Sequence, residues 1–176
     1  MPEISKVNKD ESEYGDSFQY LLDILKMEIG IIDHALARID DITTSHRNWA
    51  VVLWAGAMGL ALQQPVLQKY IIFTSAIPLL FWVIHMRWLY FLYAFVYREK
   101  KIAEYLNGDD FQMSFKQRKI VNFNVLDPPG ITHRNEKNYK KEVNMRRAFK
   151  SGEIRIFYLG MVFLSLLTGA YFLFAK

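Results

Sequence analysis

The chain contains no cysteine. That excludes a disulfide framework, thiol catalysis and cysteine-based metal sites. It also has no Asn-x-Ser/Thr sequon, no Walker loop, no GxGxxG and no GxSxG. Its four histidines, His34, His46, His85 and His133, form no pair at i, i+3 or i+4, and there is no HExxH. A metal would need ligands gathered from distant positions, so none is expected, and neither is a cofactor. The acidic pairs Asp40-Asp41 and Asp109-Asp110 sit at expected helix ends or turns, where solvated carboxylates are ordinary. Nothing in the pattern demands an enzyme. The first sixteen residues are polar and acidic without an apolar core, unlike a signal peptide.

What the chain does have is segregation. It is 52% hydrophobic and 23% charged, with the two classes in separate blocks. Residues 48–68 carry no charge, with WAVVLWAGAMGLAL (Trp49 to Leu62) at their heart and Trp49 and Trp54 near one end. Residues 70–97 are apolar apart from His85 and Arg87, and Pro78 is expected to kink them. Residues 156–175 are uncharged between Arg155 and Lys176. A helix needs about 20 apolar residues to cross the ~30 Å hydrocarbon core of a bilayer. Three such runs in a chain of 176 residues leave too little polar chain to cover them in a soluble protein. The expected class is an all-α membrane protein with three transmembrane helices, at 48–68, 70–97 and 156–175.

Charge gives the orientation. Residues 1–47 carry five basic and ten acidic side chains, a net of −5, whereas residues 98–155 carry fourteen and eight, a net of +6. The turn at 63–69 holds one cation. By the positive-inside rule the 98–155 loop and the N-terminus face the cytoplasm and the C-terminus lies outside. A bacterial inner membrane is the expected location.

Residues 1–16 are expected to be disordered. Phe18, Leu22, Leu25, Ile29, Ile32, Leu36 and Ile39 then recur at spacings of 4 and 3, an a/d pattern over three repeats. They predict an amphipathic helix at 17–45, capped by Asp16 or Ser17 and ending at Thr43 to Ser45. Such a stripe packs on its own chain or on other copies. The remaining cytoplasmic chain offers few apolar residues to cover it, so self-association through these seven positions is expected. Ala55 with Gly59, and Ser165 with Gly169, are small-xxx-small pairs that suit close helix contacts.

In the 98–155 region a helix is expected to continue from Arg98 to Leu106 and stop at Asn107-Gly108. Val121, Phe123 and Val125 alternate with Asn122 and Asn124 like a short strand. Asp127-Pro128-Pro129-Gly130 reads as a turn, and Thr132 as the cap of a basic helix reaching Ser151. Lys116, Arg118, Lys119, Lys140, Lys141, Arg146 and Arg147 are candidates for binding phosphates of RNA or of anionic lipid, with Phe111, Phe115, Phe123 and Tyr139 placed to stack on bases. Topogenic charge that binds nothing gives the same pattern. His85 and Arg87 line a pore or cavity if they lie inside the span, or snorkel if they lie at its end.

In size and organisation the chain resembles the small membrane effectors of bacterial anti-phage systems. It most resembles the membrane accessory proteins that accompany type VI-B CRISPR RNA-targeting nucleases. That resemblance implies a divergent HEPN-like helical character, a homo-oligomeric pore that depolarises the cell in antiviral defence, and an RNA-guided nuclease as partner. The Arg-x(4–6)-His nuclease motif is not met, since Arg38 and His46 have seven residues between them. A homo-oligomeric pore or permeabilising effector is the leading expectation. The alternative is a membrane-tethered protein whose basic loop recruits RNA, anionic lipid or a nuclease. A membrane ribonuclease using His46 or His133 comes third.

Overall fold

The computed structural model describes the backbone of residues 4–174 and the side chains of residues 17–174. Among these the chain is helical and contains no strand. The α-helices are α1 (Ile4–Gln63), α2 (Ala76–Leu106), α3 (Asp109–Gln117), α4 (Lys137–Glu142), α5 (Met145–Phe149) and α6 (Gly152–Phe174). Two 3-10 helices, Gln68–Ser75 and Ile131–His133, connect them. Two stretches, Gln68–Leu106 and Lys137–Phe174, contain helices long and apolar enough to cross a membrane. Only 22% of the residues in the most apolar window of each are buried within the chain.

The helices predicted at 17–45 and 48–68 are one. The hydroxyls that were to end the first turn back into the helix: Thr43 donates to the Asp40 carbonyl at 3.0 Å, and Thr44 accepts from Arg47 at 3.2 Å. Upstream, α1 passes the predicted cap at Asp16 or Ser17 and takes in the backbone of residues 4–16, where disorder was expected. No proline interrupts that segment, and extending an existing helix avoids the cost of nucleation. Downstream, α1 stops at Gln63, because the residue before Pro65 is disfavoured in helical conformation. The Gln68 side chain caps the Leu62 carbonyl at 3.2 Å.

Pro78 does not kink a helix interior. It lies in the first turn of α2, where its missing N–H leaves no α-helical donor for the carbonyl four residues back. The chain before it is accordingly the tighter 3-10 form.

The chain divides into two compact units. The first joins the part of α1 up to Ala37 with Leu92–Val143. Its core is Leu25, Ile32, Ile102 and Tyr105, flanked by Ile29, Leu36, Phe95, Leu106, Phe111, Ile120, Phe123 and Val125. The heptad stripe packs on its own chain, one of the two coverings its spacing allows. Phe18, Leu25, Ile32 and Ile39 are buried and Leu22, Ile29 and Leu36 half-buried within a single chain. Up to Leu36 the cover comes from α2 and α3 and from the apolar residues of 120–125.

The expected strand at 121–125 is irregular chain. Asn122 and Leu126 take positive φ (54° and 63°), which breaks an extended run, and no second strand is present among the described residues to pair with it. Nor does one basic helix follow. The Thr132 amide and hydroxyl both donate to Asp127, so Thr132 caps nothing, and the segment breaks into the second 3-10 helix, α4 and α5.

The second unit joins Arg38–Phe91 with residues from Asn144 onward. The first 3-10 helix packs against α6. Gly169 makes that approach possible: a Cβ there would lie 3.0 Å from the Ile72 backbone nitrogen. Ser165 Oγ accepts from Trp54 Nε1 at 2.7 Å, donates to the Met161 carbonyl at 3.1 Å, and lies 3.1 Å from the Thr74 hydroxyl. The pair Ser165 and Gly169 is thus a contact within the chain. A Cβ added at Gly59 meets nothing within 4 Å.

Candidate functional site

The densest polar cluster in the first unit is one that sequence reading missed. Glu28 and Arg98 are both fully buried. Glu28 Oε1 accepts from Arg98 Nε at 2.7 Å and from the Asp127 amide at 3.0 Å. Oε2 accepts from Arg98 Nη2 at 3.1 Å and from the Leu126 amide at 2.7 Å. Arg98 also donates to the Asn124 carbonyl and lies over the Phe123 ring, 4.6 Å from its centroid. One carboxylate and one guanidinium therefore join α1, α2 and the 123–127 segment. The available signal was a glutamate set among core-facing positions of α1, between Leu25 and Ile32.

Asp127 organises the turn that follows. Its side chain accepts from the amides of Ile131 (2.8 Å) and Thr132 (3.0 Å), and its carbonyl from Gly130 (2.7 Å). Gly130 adopts φ +63°, a left-handed conformation that favours glycine. This turn carries His133 to the guanidinium: Arg98 Nη1 lies 3.3 Å from Nε2, while Nδ1 lies 2.7 Å from Glu136 Oε1. Arginine only donates, so Nε2 is the acceptor and Nδ1–H donates to Glu136. The Tyr97 hydroxyl donates to the other Glu136 oxygen at 2.9 Å. The His133 bond holds the Glu136 carboxyl below its usual range, partial desolvation opposes this, and the Tyr97 bond adds to it. Both imidazole nitrogens are thus engaged within the cluster, which ties the 127–136 segment to α2.

The basic candidates lie on the surface. Lys116 and Arg118–Lys119 occupy the end of α3, where Arg118 takes the left-handed conformation that stops the helix. All three are exposed, as are Lys140 and Lys141 on α4. Of the four aromatic candidates, Tyr139 is buried, Phe111 is half-buried in the core, and Phe123 stacks on Tyr105 at 4.2 Å. Phe115 is 52% exposed and stands beside Lys116. Its ring meets Phe18 and Phe111 edge-on, at 5.4 and 4.9 Å, which limits its freedom.

In the second unit, His85 and Arg87 part company. His85 is buried, with Nδ1 3.2 Å from the Tyr158 hydroxyl, so it pins α2 to α6. Arg87 is exposed, its guanidinium 6.0 Å from the Phe91 ring centroid. Arg146 and Arg147 are exposed on α5, whose start is capped by Asn144 accepting from the Arg147 amide at 2.8 Å. Trp82 is buried against Phe149, ring centroids 4.5 Å apart, and its indole Nε1 has no hydrogen-bond partner among the described residues.

Among the described residues no group of three histidine or acidic side chains converges to hold a metal. No protein-family model, curated protein or solved structure matches this chain.

Proposed function

We propose that the chain is a membrane-tethered binding protein whose polar unit engages single-stranded RNA through α3. The observation that carries this reading is Phe115, an exposed ring beside the exposed cations Lys116, Arg118 and Lys119. A face that can stack on a base next to charges that can meet its phosphates is the recurrent chemistry of single-strand binding.

The tether rests on length. The eight-residue 3-10 helix rises about 2 Å per residue, roughly 16 Å in all. About nine α-helical residues at 1.5 Å each complete the ~30 Å core. A span starting at Gln68 therefore ends near Ile84, with His85 and Arg87 at the boundary. In α6, Ile156 to Phe174 covers about 28 Å at the same rise. The apolar end of α1, sixteen residues from Asn48 to Gln63, reaches only about 24 Å, so as a third span it crosses with polar ends drawn inward. The basic 98–155 region sets the cytoplasmic side by the positive-inside rule.

The test is RNA binding by the full chain in nanodiscs. Replacing Phe115 by Ala together with K116Q, R118Q and K119Q should weaken binding by at least about tenfold and flatten its salt dependence. Binding that the wild type lacks, or that the variant keeps, sinks the reading.

A second reading keeps the homo-oligomeric pore and the antiviral role that the chain's organisation resembles. What favours it is the pair Ala55 and Gly59 on α1, where a Cβ added at Gly59 would meet nothing within 4 Å among the described residues. Copies packed through that face would surround a path without using the heptad stripe. A discrete ring in detergent and a measurable current would support this reading.

A further inference from the structure

We infer that α5 and Trp82 form a seat for an anionic phospholipid. This rests on the membrane reading above but not on RNA binding. α5 has two faces. Met145 and Phe149, one turn apart, are 45% and 46% exposed, and Arg146, Arg147 and Lys150 are exposed beside them. Ala148 is fully buried and holds the helix down. Exposed apolar side chains next to cations suit the boundary between acyl chains and headgroups.

The second observation is the Trp82 indole. It is 7% exposed, and its N–H has no partner among the described residues. Buried donors nearly always find an acceptor, and tryptophans at a membrane boundary find theirs in the lipid. Trp82 lies two residues before Ile84, about 3 Å inside the boundary set by helix rise. That is the level of the glycerol ester carbonyls. The Phe149 ring packs on the indole, centroids 4.5 Å apart. When its ring turns into the acyl layer, an ester carbonyl takes the N–H while the headgroup phosphate meets Arg146, Arg147 and Lys150. Two independent contacts, one to the ester and one to the charge, then define one lipid site.

The experiment uses the full chain in mild detergent with phosphatidylglycerol and phosphatidylcholine of matched acyl chains, and native mass spectrometry counts the lipid retained. The wild type should retain phosphatidylglycerol about tenfold more than phosphatidylcholine, because each cation near the headgroup adds attraction. R146Q/R147Q/K150Q should remove that preference. Trp82→Phe, which keeps a smaller aromatic ring and deletes the donor, should weaken retention of both lipids severalfold. Equal retention by the wild type overturns the seat, as does an unchanged preference in the charge variant. Unchanged retention in Trp82→Phe overturns the indole contact and with it the single site. Loss of RNA binding in the charge variant, without any lipid preference in the wild type, assigns these cations to nucleic acid instead. Alkaline carbonate extraction separates the two levels: a chain released from membranes sinks the membrane reading, whereas one retained without lipid preference sinks the seat alone.

Discussion

Glu28 and Arg98 form a forked ion pair with no exposure to solvent, and the same carboxylate holds the amides of Leu126 and Asp127. Removing one partner of such a pair strands the other in a low-dielectric interior, which costs about 3–5 kcal/mol. Glu28→Ala should therefore destabilise the first unit by about that amount in chemical unfolding, and should speed hydrogen exchange of the amides at 124–133. The double variant E28M/R98M removes both charges and should recover part of the loss. It cannot recover all, because the Leu126 and Asp127 amides lose their acceptor, at about 1–3 kcal/mol for each donor left unsatisfied. A double variant no more stable than Glu28→Ala would show that stranded charge is not the cause.

Glu136 gives the unit a pH dependence. Its carboxyl is held below the ordinary value of 4.5, chiefly by the His133 bond. A depressed folded value means the unfolded chain binds the proton more readily. The stabilisation is thus fully present above about pH 5 and is lost as pH falls through the depressed value. Glu136→Gln should flatten the fall in stability below about pH 5 relative to wild type, measured by thermal unfolding over the acid range. Glu136 is partly exposed, so solvent screens the pair and the effect is small. A variant with the same acid profile as wild type would place the titration elsewhere.

The apolar blocks and the 3.6-residue pattern were legible because both are local. The spacing of Leu25, Ile29, Ile32 and Leu36 identifies a helix face, and Asn107-Gly108 marks where α2 stops. What covers that face was not legible. It depends on Ile102 and Tyr105, some seventy residues away, and on an irregular segment whose alternation imitates a strand. Continuity through Thr43 to Ser45 was missed for a different reason: a hydroxyl that caps a helix can equally bond back within one. Glu28 and Arg98 look like ordinary charges in the sequence, and only the tertiary fold brings them together. His85 and Arg87 were grouped by adjacency, although a two-residue separation on a helix turns them by about 200°.

The two small-residue pairs should respond oppositely to added bulk. At Gly169 a Cβ would crowd three Ile72 atoms at 3.0 to 3.2 Å, two of them backbone, which yields less readily than a side-chain tip. Gly169→Ala should destabilise the second unit by about 1–3 kcal/mol, as overpacking does. The Cβ of Gly59→Ala would meet nothing within 4 Å among the described residues and it replaces a helical glycine, so the change should be neutral or stabilising by about 0.5–1 kcal/mol. Unfolding in detergent checks both. Should Gly59→Ala instead shift the particle mass to a smaller species, that face packs between copies and the pore reading gains.

Arg87 divides the two functional readings most sharply. It is exposed between Val83 and Phe91, also exposed, on an otherwise apolar line of α2. Set at the boundary near Ile84, its charge reaches headgroups and water, and its replacement matters little. Arg87→Ala should then change stability by about 1 kcal/mol or less, the scale of its contact with Phe91. It should leave the leak of reconstituted vesicles at the wild-type level. A charge buried deeper must face protein or water, and around a shared axis it would meet permeating ions. If the wild type carries a current that Arg87→Ala abolishes while assembly persists, the boundary placement is wrong and the tether gives way to the pore.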